Sequence, residues 1–86
     1  MPYIKTEDRA RFEFLVRDMH LVDIRSAGEL NYLITQLVHA FLGQKPQSYQ
    51  NYNDALGALT GSSMELYRHK ISDYEDVKIS ENGDVP

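Results

Sequence analysis

The segment Glu29–Leu42 has apolar residues at spacings of three and four, and this pattern restricts the folds open to the chain more than any other feature. Its apolar positions are Leu30, Leu33, Ile34, Leu37, Val38 and Phe41. They fall on one broad helical face, wider than a helix with a single neighbour requires. Ser26 and Glu29 have the spacing of a capping box, and Gly43 provides a stop. The pattern predicts a central helix over residues 27–42 that packs on several sides.

Two longer segments flank this central helix and also have helical spacing. Thr6 is placed to cap a first helix over residues 6–21, which a connector around residues 22–26 follows. Ser48 is placed to cap a third helix over residues 49–70. This third helix contains two glycines, and we favour one helix that runs through them, either straight or with a kink. The alternative is a break near Gly61, Ser62 and Ser63 that gives two shorter helices.

A short C-terminal helix is predicted over residues 73–81. Ser72 and Glu75 repeat the capping-box spacing at its start, and Asn82-Gly83 supplies its end. The chain of 86 residues has no cysteine, so helix packing or oligomerisation must supply its stability. A chain this short buries about 60 to 65% of its unfolded surface. We therefore expect one all-α domain over residues 1–86, a compact bundle of three main helices plus the short fourth.

The formal net charge of -4 is concentrated at the C-terminus. Residues 72–86 contain five acidic side chains and one basic side chain, whereas acids and bases balance over residues 1–71. A protein that binds duplex nucleic acid normally has a basic face, and the sequence has none, so we expect no such binding. No apolar run approaches the roughly 20 residues that span a bilayer. We expect a cytoplasmic protein without membrane contact.

Residues with catalytic or metal-binding chemistry do not form a recognisable pattern. The three histidines fall on three different elements, and the acidic residues 73–76 lack the spacing of a calcium loop. Ser62 and Ser63 have no base that the sequence identifies. We therefore predict no metal and no cofactor, and we favour a non-enzymatic role.

The segment Gln44–Ser63 contains only two charged residues and mixes amides with tyrosines. Tyrosine offers a large contact area together with a hydrogen-bonding tip, which suits recognition. This composition favours a partner-binding surface around Tyr49, Tyr52 and Asn53. The alternative is that the tyrosines cover the core while the amides face water.

Arg68 has two alternative interpretations. If the chain reverses near Ile71 and Ser72, Arg68 could pair with acids at the start of the fourth helix and lock that helix in place. The residues of this structural lock would be Glu65, Arg68, Tyr74, Glu75 and Asp76. Alternatively, Asn31, Tyr67 and Arg68 line a site for a nucleotide-like small molecule, with helix N-termini at Ser26 and Ser48 holding phosphate.

Several motifs carry a family resemblance. They are Met1–Ile4, Gly28–Tyr32, Tyr52–Leu59, Glu65–Arg68 and the closing Tyr74-Glu75-Asp76-x-Lys78-Ile79-x-Glu81-Asn82-Gly83-Asp84-Val85. The chain resembles a family of small uncharacterised proteins encoded by bacteria and their phages, over nearly its whole length. The resemblance brings no established activity. It implies that both tails belong to the folded unit, with the acidic tail docked on this protein or on a neighbouring subunit.

We therefore expect a phage- or bacterium-type accessory protein that acts by stoichiometric binding. Its partner would be a second copy of the chain, giving a homo-oligomer, or a host protein. Two alternatives stay open at this point: a protein that sequesters a nucleotide-like signal, and an enzyme of unrecognised type.

Overall fold

The computed structural model describes residues 4–85, and helices occupy most of this range. The elements are a 3-10 helix Thr6–Phe12, α1 Glu13–Leu21, α2 Ala27–Gly43, α3 Tyr49–Leu66, a π-helical turn Tyr67–Ile71, and α4 Ser72–Asn82. Residues 4–85 contain no strand. The predicted all-α class is confirmed. Of the predicted docked tails, residues 1–3 and 86 lie outside the described range.

Backbone contacts group the chain into two units, Met1–His39 and Ala40–Pro86, and each is described by itself. That residues 1–86 form one domain stays a prediction.

The first helix begins at Thr6, the residue that we predicted to be its N-cap. Lys5 takes the N-cap position with extended backbone, φ -64° and ψ 150°, and no side chain caps this end. Thr6 already lies inside the 3-10 helix, so the prediction that it caps the helix is wrong. α1 then ends at Leu21, where Val22 turns to an extended conformation, and the predicted connector follows.

The start of α2 forms the predicted capping box. The Glu29 backbone N–H donates to Ser26 Oγ at 3.1 Å, and Glu29 Oε1 accepts from the Arg25 backbone N–H at 2.7 Å. These bonds satisfy amides that have no partner within the helix. The helix ends at Gly43, as predicted.

The third helix begins at the predicted cap, where Ser48 Oγ accepts from the Asn51 backbone N–H at 3.1 Å. It runs without a break through Gly57 and Gly61. It also continues through the π turn into α4, because Ser72 is itself helical and its N–H donates to the Tyr67 carbonyl. The predicted capping box at Ser72 is therefore wrong. Gly83, with φ +84°, ends α4 in the left-handed conformation that glycine favours.

Little apolar surface is buried by the chain. Ala55, 7% exposed, and Gly61 are the only buried residues within 4–85. Leu37 on the central helix is 56% exposed.

Within each unit the described helices do not fold against one another. Within residues 4–39, α1 and α2 do not contact each other. Within residues 49–82, α3 runs directly into the π turn and then into α4 instead of folding back. The apolar faces of these helices are accessible, and the compact bundle of the whole chain stays a prediction.

Candidate functional site

The predicted tyrosine surface lies on the first two turns of α3. Tyr49, Tyr52 and Asn53 are three and four residues apart, so they share one helical face. Tyr49 is 84% exposed and Tyr52 is 44% exposed. Within residues 4–85 none of the three side chains makes a hydrogen bond. The alternative in which these tyrosines cover a core stays a prediction.

Neighbouring amides fix the position of this surface. The Asn51 side-chain amide donates to the Pro46 carbonyl at 2.7 Å, and the Gln50 amide donates to Asp54 Oδ1 at 2.7 Å. The first bond ties the loop to the start of α3, where a recess of about 160 Å³ is lined by residues 42–52. Small-molecule sites usually enclose about 300 to 1,000 Å³. This recess is small for a nucleotide.

The π turn brings Tyr67 and Glu75 together. The Tyr67 hydroxyl donates to Glu75 Oε2 at 2.7 Å, across eight residues. In a regular α-helix residues eight apart are rotated by about 80° and do not meet. An i→i+5 turn holds one residue more than an α turn, so Tyr67 and Glu75 behave as residues seven apart, rotated by only about 20°.

Tyr67 should titrate at a higher pH than an ordinary tyrosine. The hydrogen bond to Glu75 favours the protonated phenol, and the Glu75 charge disfavours the phenolate, so the pKa of Tyr67 is raised above its usual value near 10. The stabilisation is complete below the unfolded pKa and is lost as the pH rises through the folded one. Measured by ¹³C NMR of the tyrosine Cζ atoms, the pKa should fall in Glu75→Gln.

Glu81→Gln is the matched control for this titration, because Glu81 is also an exposed glutamate of α4 but bonds Lys78. It should leave the Tyr67 pKa unchanged. An equal fall in both variants would mean that the general charge of α4, and not the bond to Glu75, sets the pKa.

The remaining lock residues are arranged differently from the prediction. The chain does not reverse at Ile71 and Ser72, so the condition for an Arg68–carboxylate fork is not met. Within residues 4–85 Arg68 has no hydrogen bond or ion pair. Glu65 instead pairs with His69 at 3.0 Å, a contact that we did not predict although its i,i+4 spacing could have revealed it. Among the lock residues, Tyr74 has the Lys78 ammonium 5.5 Å from its ring centroid, and Asp76 is exposed and has no ion pair.

Asn31, the third residue of the predicted small-molecule site, belongs to the other unit. Its Oδ1 accepts from the Thr35 hydroxyl at 3.2 Å, one turn along α2. A mostly apolar recess of about 500 Å³ lies beside the start of α2 and is lined by residues 22–33. The Glu29 carboxylate occupies this helix N-terminus and would repel a phosphate there. The grouping of Asn31 with Tyr67 and Arg68 stays a prediction.

Residues 4–85 contain no group of three or more histidine, aspartate or glutamate side chains that could hold a metal ion. In the same range no helix has both the length and the apolar character needed to cross a membrane.

The comparison with protein families agrees with the resemblance noted from the sequence motifs. A family model described as a domain of unknown function, DUF6899, matches residues 1–85. No curated protein and no solved structure matches the chain significantly. The match covers all but the last residue, so the chain belongs to the DUF6899 family.

Proposed function

We propose that this protein is a non-enzymatic accessory protein of a bacterium or phage that acts in the cytoplasm by stoichiometric binding. Its first partner is a second copy of the same chain. The observation that carries this proposal is the amount of apolar surface that one chain leaves accessible.

The exposure of side chains within single helices supports an assembly. Leu37 on α2 is 56% exposed, and Leu56 on α3 is 63% exposed. Side chains of this size are normally buried in folded proteins, so a second copy that covers them would supply the missing apolar contacts.

The arrangement of the exposed side chains supports the same conclusion. They form continuous stripes at helical spacing: Leu30, Leu33, Leu37 and Phe41 on α2, and Tyr52, Leu56 and Leu59 on α3. A contiguous apolar stripe marks an interaction surface, whereas scattered single residues would need no explanation. Each large aliphatic side chain that becomes buried contributes about 1.5 to 3 kcal/mol.

The glycine at position 57 is another feature that a partner would explain. A Cβ at Gly57 would meet no heavy atom of residues 4–85 within 4 Å, so nothing in this range requires glycine there. Glycine costs a helix interior about 1 kcal/mol relative to alanine. Close approach of a second helix to this position would account for the glycine.

The test is the mass of the untagged protein purified from its own host, by native mass spectrometry and by sedimentation at several concentrations. We expect a multiple of 9.9 kDa that dissociates only on dilution, with helix content falling as it dissociates.

Two results would overturn the proposal. One is a monomer that stays helical and melts cooperatively at low concentration. The other is a single chain that retains a small molecule and gains melting temperature from it, which would favour a sequestering protein instead.

A further inference from the structure

In the helix that runs from Tyr49 to Asn82, the order of charged side chains is complementary to that of a second copy running in the opposite direction. Two bases, Arg68 and Lys70, lie within the π turn, and Tyr74 and Asp76 follow it in α4. All four are exposed. Within residues 4–85 Arg68, Lys70 and Asp76 form no ion pair with another residue. Their charges remain available to a partner.

The position of these side chains around the helix follows from the Tyr67–Glu75 bond. Because Tyr67 and Glu75 share a face, the residues that follow each of them, Arg68 and Asp76, share the next face, about 100° further round. Ile71 lies one turn after Tyr67, and both are exposed. Arg68 and Asp76 therefore flank a strip formed by Tyr67 and Ile71.

Lys70 and Tyr74 lie on the opposite flank of this strip. Lys70 precedes Ile71 and is rotated by about 100° in the other direction. Tyr74 is four residues after Lys70 and so is its neighbour along the helix. The Tyr74 ring already accepts one cation, since the Lys78 ammonium lies 5.5 Å from its centroid. The second face of the ring can accept another.

Both pairs are centred on the same residue. Arg68 and Asp76 are each four positions from Ser72, and Lys70 and Tyr74 are each two positions from it. A two-fold axis that passes through Ser72 perpendicular to the helix relates two antiparallel copies. Each flank of one chain then faces the same flank of the other chain, with the residues in the opposite order. Arg68 of one chain then meets Asp76 of the other, twice, and Lys70 meets the Tyr74 ring, twice. A parallel arrangement would bring the two basic segments together.

We infer that two copies of the chain pair antiparallel along residues 62–82, about a two-fold axis at Ser72, with Arg68 against Asp76 and Lys70 against Tyr74. This inference rests on the proposed self-association and specifies its geometry. The strip of Tyr67 and Ile71 supplies the apolar contact between the two helices. The charged flanks fix direction and register, which is the usual role of charge at such interfaces.

Charge reversal tests this geometry. Arg68→Glu alone places acid against acid at two sites of the dimer, and Asp76→Lys alone places base against base. Each variant should raise the dimer Kd by at least about tenfold. The double variant R68E/D76K should restore the wild-type Kd, and a mixture of the two single variants should form a mixed dimer. Sedimentation gives the Kd, and circular dichroism at high concentration checks that each variant forms helices.

Cross-linking tests the direction of pairing, because the chain has no native cysteine. A mixture of L66C and K78C chains of different tag length should be joined by a short bis-maleimide, since positions 66 and 78 are equidistant from Ser72. L66C alone should not be joined to itself.

The possible results distinguish a failure of the antiparallel geometry from a failure of the proposed self-association. A wild-type monomer would overturn both. If the wild type is a dimer but the single charge reversals leave the Kd unchanged, the antiparallel geometry is overturned while self-association stands. The same holds if R68E/D76K does not restore the wild-type Kd. Self-cross-linking of L66C would do the same.

Discussion

Leu37→Asp is expected to abolish self-assembly and, with it, most of the helix content of the protein. Leu37 lies in the middle of the α2 stripe and is 56% exposed in the single chain. If nothing covered it, the substitution would cost only the difference in helix propensity, under about 1 kcal/mol. If a second copy covers it, the interface loses about 2 kcal/mol of apolar burial, and the introduced Asp carboxylate would have to be buried there at a further cost. The Kd should then rise by at least about a hundredfold.

His39→Asp is the matched control for Leu37→Asp. His39 lies two residues further along α2 and is exposed, roughly half a turn away from Leu37. It introduces the same residue with the same helix propensity, so it should leave assembly nearly unchanged. Circular dichroism and sedimentation should be measured on both variants across concentrations. Equal behaviour of the two variants would contradict the assignment of the α2 stripe to an interface.

The local structure of the chain was largely predictable because it depends on residues close in sequence. Ser26 and Ser48 cap their helices as expected, since a hydroxyl needs only an amide three residues away. Gly43 and Gly83 lie at the ends of theirs, because glycine disfavours the helix, and Gly83 also takes a positive φ. The broad apolar face of α2 was also read correctly as a sequence pattern.

Where this apolar face would be covered could not be predicted from the sequence. Periodicity tells which side chains favour burial, but it does not tell whether the covering atoms belong to the same chain. Leu37 satisfies the pattern equally well in a monomeric bundle and in an assembly. The expected bundle, which we also expected to be homo-oligomeric, left both cases open, and the exposed stripe is the reason that we propose the second.

The π turn was missed for a related reason. Ser72 and Glu75 have the spacing of a capping box, which led us to expect a break. A capping box competes with helix continuation, and here the continued backbone bonds were retained, with one wider turn from Tyr67 to Ser72. No residue in this segment forbids a helix, since it contains neither glycine nor proline. The absence of a helix-breaking residue predicted the continuous helix better than the capping-box spacing predicted a break.

Insertion of one alanine between Asp73 and Tyr74 should weaken assembly. One residue more keeps the π turn but rotates everything beyond the insertion by about 100° relative to Tyr67. Glu75 then leaves the face of Tyr67, and Asp76 leaves that of Arg68. The Tyr67 pKa should fall toward its usual value, and the dimer Kd should rise by at least about tenfold, while helix content at high concentration is kept.

Deletion of His69 is the matched control for this insertion. It also changes the chain length by one residue, but it converts the π turn to an α turn and so leaves Tyr67 and Glu75 seven residues apart, rotated by about 20° as before. The deletion also removes the pair of His69 with Glu65, and pairs of this kind contribute under about 1 kcal/mol. Neither the Tyr67 pKa nor the dimer Kd should change appreciably in the deletion variant. If the insertion and the deletion behave alike, the rotation of α4 relative to Tyr67 has no part in setting the register of the two flanks.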